Sequence, residues 1–213
     1  MSPLSCLLVL GFLLTPVPGF SETMEWPFSV FLDDTLVGSH RFTVKGALEH
    51  RQLESIARFD VRFLGIDFYR YEHVSQETWK QDCLEDIQAQ TNDNGTTLRV
   101  DGKSQVGGFA LSVSGKDEML PACIMTFAYW NPEMLKQSRL LNPQTGELTP
   151  VTIRKVGHES LMMSDKEIEV DHFHLSAEKF DIDLWYDLKG HWVALDSLIE
   201  GNRKLKYRLV KPA

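Results

Sequence analysis

His172 and His174, two apart in Glu169-Val170-Asp171-His172-Phe173-His174, have a type and spacing that suit chemistry. On a strand they share one face, and two imidazoles on one face can begin a zinc or copper site. Such a site needs a third and fourth ligand, and the chain holds no further HxH, HExxH or CxxC pattern. No metal and no cofactor are therefore expected. Asp33-Asp34 and Asp181 with Asp183 offer paired carboxylates, but the first pair sits in a turn. The second alternates along a strand whose other face is Phe180, Ile182 and Leu184. Both read as solvated faces rather than as the facing carboxylates of a glycosidase. There is no G-x-S-x-G elbow and no glycine-rich phosphate loop. Gly107-Gly108 lies inside an apparent strand, where it marks a bulge or a close backbone approach. No catalytic residue is assigned. An enzyme on this chain would need His172, His174 and Asp183 to converge inside a cavity.

The aromatics are more suggestive. Tyr129-Trp130 stands beside Asn131-Pro132, and Trp79, Trp185-Tyr186 and Trp192 recur near strand ends. Side chains this heavy either fill an ordinary core or line an apolar ligand cavity with their polar ends at its mouth. In the second case Phe127, Tyr129, Trp130 and Trp185 are the expected ligand-binding residues.

The elements that must position them read as strands and turns. Phe28, Val30 and Leu32 alternate up to Asp33-Asp34, and Leu36 to Val44 continues beyond it. Residues 51–63 and 67–79 are rich in β-branched and aromatic side chains, with Gly65 between them. Asn92-Asp93-Asn94-Gly95 is the strongest hairpin signal, since Asn-Gly readily takes positive φ. Ser114-Gly115-Lys116, Ala177-Glu178-Lys179, Leu188-Lys189-Gly190 and Glu200-Gly201-Asn202 punctuate the rest. In the stretch from Arg203 to Arg208 a basic face alternates with Leu205 and Tyr207, as on a protected edge strand. The exception is residues 117–132. Acids and Pro121 precede an apolar run from Ala122 to Trp130, and Asn131-Pro132 ends it. A short helix over about 119–130 is expected there, with a buried strand as the competing assignment.

At the N-terminus an uncharged apolar run, Leu4 to Leu14, is too short to span a bilayer and suits the core of a secretory signal. Cleavage is expected after Ser21. That leaves one β-rich domain at 22–213, periplasmic or secreted, with no integral membrane segment. The formal net charge of −8 disfavours nucleic acid and anionic headgroups as partners. Cleavage also leaves two cysteines, Cys83 and Cys123. In an exported protein these are either a disulfide or two unrelated buried thiols.

Several motifs together resemble a family. Phe127-Ala128-Tyr129-Trp130-Asn131-Pro132, followed by Leu140 to Gly146, is similar to an uncharacterised family of exported bacterial proteins, domain of unknown function six-one-three-four. So are Asp82-Cys83-Leu84, Asp93-Asn94-Gly95, Pro121-Ala122-Cys123 and Leu184-Trp185-Tyr186-Asp187. The resemblance implies that Cys83 and Cys123 are paired, and it implies location and fold more than function. At a greater distance the layout looks like the half-open barrels of periplasmic lipoprotein carriers. The fold class expected is all-β and antiparallel: a curved, partly open barrel of ten to twelve strands wrapped over one short helix. The function expected is non-catalytic binding or carriage of an apolar, lipid-like ligand. The alternative is an envelope protein–protein interaction module with a filled core.

Overall fold

The computed structural model describes residues 22–63, 66–163, 166–199 and 202–210; the apolar run Leu4 to Leu14, the expected cleavage position after Ser21, Gly65 and Glu200-Gly201 lie outside them. Strand formation follows from period-2 patterning. In β1 (Thr23–Leu32), Trp26, Phe28, Val30 and Leu32 are buried while the residues between them are half-buried or exposed. The same alternation runs through β2 (Thr35–Ala47), β3 (His50–Phe63), β4 (Ile66–Lys80) and β5 (Cys83–Asp93). Next come β6 (Thr96–Gln105), β7 (Gly108–Val113) and β8 (Lys116–Leu120). After a crossing segment come the short β9 (Arg139–Leu141) and β10 (Leu148–Pro150). Then follow β11 (Thr152–Met163), β12 (Lys166–Ser176), β13 (Asp181–Asp187), β14 (Trp192–Ile199) and β15 (Arg203–Leu209).

Thirteen of these strands form one antiparallel sheet ordered β11-β12-β13-β14-β15-β1-β2-β3-β4-β5-β6-β7-β8. The chain thus starts in the middle of the sheet and zigzags out to β8. It then crosses to the far side and zigzags back until β15 pairs with β1. The thirteen strands of this sheet exceed the expected ten to twelve. The outer strands β8 and β11 do not pair with each other, so the sheet stays open. β15 has partners on both sides, which removes the edge-strand reading of its basic residues. Instead Arg203 and Lys206 hold Asp33 and Asp34 of the β1–β2 turn, and Arg208 holds Asp196.

The turns are those that the sequence marks. Asn94 and Gly95 adopt φ of 48° and 94°, and the Asn92 side chain accepts from the Gly95 N–H at 2.9 Å. Gly107 is a correction: with Val106 it makes the β6–β7 hairpin turn at φ 97°, not a bulge within a strand. Gly108 is a true close approach, since a Cβ there would lie 2.4 Å from the Leu120 carbonyl oxygen.

Residues 121–151 cross the concave face. The expected helix at 119–130 is absent: Lys116–Leu120 is strand, Pro121–Asn131 is irregular, and a 3-10 turn, Pro132–Lys136, follows. Asn131 caps that turn through its side chain, and Pro132 opens it. The apolar run ahead of it has no helical period to exploit, because Ile124 through Ala128 are all buried. Some of its backbone groups are met within the run, as where Ala128 N–H donates to the Thr126 carbonyl, and others from outside it. Leu84 N–H donates to the Ile124 carbonyl at 2.9 Å, and Leu141 N–H to the Met125 carbonyl at 2.8 Å. The Cys83–Cys123 disulfide, closing 40 residues, pins the start of this segment to β5. Loop closure entropy assigns such a bridge roughly 4 kcal/mol. Replacing both cysteines with serine should lower the urea unfolding free energy by about that amount. A loss below 1 kcal/mol in that measurement would refute the structural role.

Candidate functional site

Between the crossing segment and the concave face lies a cavity of about 210 Å³. Its floor is set by register. Across β2, β3, β4 and β5, Phe42, Ser55, Ser75 and Ala89 are directly paired and share the inner face. One step along, His40, Ala57, His73 and Thr91 form the next row; on the other side, Val44, Leu53, Glu77 and Ile87 do so. The inward positions of β4 therefore read Tyr71, His73, Ser75, Glu77 and Trp79, all buried. Phe127, Tyr129 and Trp130 of the crossing segment form the roof, and Phe180 and Ile182 close one side.

The polar groups gather at the two ends of the cavity. At one end Glu77 accepts hydrogen bonds from Ser75 Oγ (3.1 Å), Trp79 Nε1 (2.9 Å) and Thr126 Oγ1 (3.2 Å). At the other, His40 Nε2 is 2.7 Å from Ser55 Oγ, and His73 Nδ1 is 2.9 Å from Thr91 Oγ1, which donates to the Gln144 carbonyl. Burial sets the charge states. It pushes the Glu77 carboxyl up to about 7, against three hydrogen bonds that favour ionisation. It pulls His73 down to about 4 and His40 well below its ordinary value, the neighbouring His73 adding to the second shift. Both imidazoles are neutral near pH 7. The Trp130 indole N–H is buried without a protein hydrogen-bond partner among the described residues.

Three of the four aromatic residues expected from sequence, Phe127, Tyr129 and Trp130, border this cavity. Trp185 does not. On β13 the inward positions are Ile182, Leu184 and Tyr186, whose hydroxyl donates to the Tyr129 carbonyl at 2.8 Å. Trp185 lies on the opposite face, stacked on His172 at 4.7 Å and bonded to Glu159. His172, His174 and Asp183 do meet, both imidazoles lying within 3.0 Å of the same Asp183 oxygen. They meet on that outer face rather than in the cavity, so they supply no catalytic convergence there. Burial raises the Asp183 carboxyl, but hydrogen bonds from His174 and His172 outweigh it and hold it below the ordinary range. Among the described residues no three His, Cys, Asp or Glu side chains are arranged to hold a metal ion.

Sequence reasoning missed His40, Ser55, His73, Ser75 and Glu77. A signal existed for three of them: in β4, His73, Ser75 and Glu77 alternate in phase with Tyr71 and Trp79, which are bulky enough to mark the inner face.

The profile of a family described as domain of unknown function (DUF6134) matches residues 28–210. No curated protein matches the chain. A solved structure that it resembles is the β-barrel-like protein of domain of unknown function DUF1849 from Brucella abortus. The two share 10% identity at a TM-score of 0.66, over 88% of this chain and 95% of that one. At that identity the likeness is one of fold.

A Glu whose folded pKa lies above its unfolded value stabilises the fold below the unfolded pKa. That contribution is lost as pH rises towards 7. Glu77→Gln removes the loss. The unfolding free energy of the variant, relative to wild type, should therefore increase by roughly 2–3 kcal/mol between pH 5 and pH 8 in urea titrations. A difference that stays flat across this range refutes the raised Glu77.

Proposed function

We propose that this chain, which belongs to the DUF6134 family of domains of unknown function, is an exported, periplasmic binding or carrier protein for a small, largely apolar ligand. The observation that carries the reading is the cavity of about 210 Å³ held between the concave sheet and the Phe127–Trp130 roof. Its volume falls below the roughly 300 Å³ at which drug-sized pockets begin. It suits one short alkyl chain or one ring system, and not a lipid with several acyl chains. The polar ends then orient the ligand while Phe42, Phe127 and Phe180 bury its body. A core filled throughout, as the interaction-module reading requires, is less compatible with this space. Export is supported by the short apolar N-terminal run and by a disulfide, a bond kept in oxidising compartments.

A second reading is supported by one contact, the 2.7 Å approach of His40 Nε2 to Ser55 Oγ on the cavity wall, the spacing of a base and its nucleophile. The other nitrogen of His40 faces the Tyr207 hydroxyl at 3.4 Å, not a carboxylate. A buried imidazolium there has no anionic support, so acyl transfer is the weaker assignment.

Native mass spectrometry of gently purified protein should find a bound small molecule, and adding short apolar ligands should shift tryptophan fluorescence. Ile182→Phe, which grows into the cavity, should weaken such binding about tenfold or more, a loss of about 1.4 kcal/mol. No bound species together with unchanged fluorescence would sink the carrier reading, and covalent labelling of Ser55 by a fluorophosphonate would favour the acyl-transfer one.

A further inference from the structure

Glu77 is the acid of the cavity wall, and no base answers it. The lining contains no Lys or Arg. What surrounds the carboxylate is uncharged: Leu53 pairs with it from β3, Ile87 from β5, and Ser75 and Trp79 flank it on β4. Thr126 reaches it from the crossing segment. The other titratable groups on the cavity are His40, His73 and Tyr129. The histidines sit at the far end, with His73 four residues away along β4, a distance of roughly 13 Å. Arg51, paired with Trp79 in the next row, lies over the Trp130 ring and bonds Asp82 and the Gln81 carbonyl, and its buried Nε has no hydrogen-bond partner among the described residues.

Such a carboxylate is expensive when ionised. Burial of a charge is tolerated where a counter-charge and hydrogen bonds meet it, and here the hydrogen bonds are present but the counter-charge is not. An ionised carboxylate offers about four acceptor positions. Three are taken, by Ser75, Trp79 and Thr126. The two hydroxyl donors line the cavity along with Glu77 itself, which places the carboxyl on the wall of the space the ligand takes.

We propose that the cavity selects an organic amine, its ammonium group pairing with Glu77 and its apolar body lying along Phe127, Tyr129 and Phe42 towards His40. This rests on the binding reading above. An alcohol or amide of the same shape gains a hydrogen bond at Glu77 but no ion pair. A carboxylate-bearing ligand meets like charge there, with no cation to offset it. Because the ion pair needs the deprotonated acid, amine affinity should fall as pH drops below about 7, while that of a neutral analogue should not.

The test compares hexylamine, hexanol and hexanoate by titration calorimetry against wild type, Glu77→Gln and Glu77→Asp, at pH 8 and pH 6. Hexylamine should bind wild type at least about tenfold tighter than hexanol at pH 8, and the ratio should shrink several-fold at pH 6. Glu77→Gln should bring the amine to the level of the alcohol, and an unchanged circular dichroism spectrum of the variant reports an intact fold. If Glu77→Gln fails to fold, the wild-type ligand ratio and its pH dependence decide. Hexanol or hexanoate binding as tightly as the amine overturns this inference and leaves the binding reading standing. Failure of all three to bind overturns both.

Discussion

An open sheet of thirteen strands presents a large apolar concave face with no wall-to-wall closure to hide it. The whole architecture depends on that face being covered by residues 121–151. The segment touches both halves of the sheet. Trp130 meets Trp79 of β4 edge-on at 5.5 Å, and Tyr129 lies against Trp192 of β14 at 4.9 Å. A single stretch of chain thereby joins strands that share no ladder. It could do so only with its own backbone satisfied. The Thr126–Leu141 bridge and the β9–β10 pair supply that satisfaction where neither helix nor long strand is available.

This arrangement explains what the sequence made legible. Turns at Asp33-Asp34 and Asn94-Gly95 are encoded locally, because positive φ restricts which residues fit, so the meander could be read strand by strand. Residues 117–132 stand out in the sequence as the exception to the strand pattern; 121–131 do leave the sheet, whereas 117–120 stay in β8 and the expected helix does not form. Their apolar run is continuous because it is buried from several sides, and continuous burial carries no period to read. The site was half legible for the same reason. Phe127, Tyr129 and Trp130 stood out as aromatics in an anomalous segment. Trp185 carried the same composition, but its place on β13 turns it away, and parity along a strand is invisible until neighbouring strands fix it.

The polar half was hidden by a bias in how strands are read. Inward positions are assumed to be apolar, so His73, Ser75 and Glu77 were assigned no role. Yet each is more than 95% buried, and each is hydrogen-bonded within the protein. Polar groups held this way cost less than bare ones but still less favour folding than Val or Leu at the same positions. Their presence at an unfilled region of the core is the local conflict expected where a protein binds something.

The placement of β1 has a further consequence, for how the chain is made. β1 is synthesised first, and its second neighbour, β15, last, with Phe28 pairing with Leu209 across nearly the full length of the domain. Until the final strand emerges, β1 is an exposed sheet edge bearing Trp26, Phe28 and Val30, a template for pairing with other nascent chains. The N-terminal hairpins can form early from local contacts, whereas closing the β1–β15 seam requires contacts of the highest sequence separation and is the slow event. The order in which the ribosome delivers the strands, not their final neighbours, sets the interval in which this protein is most open to aggregation.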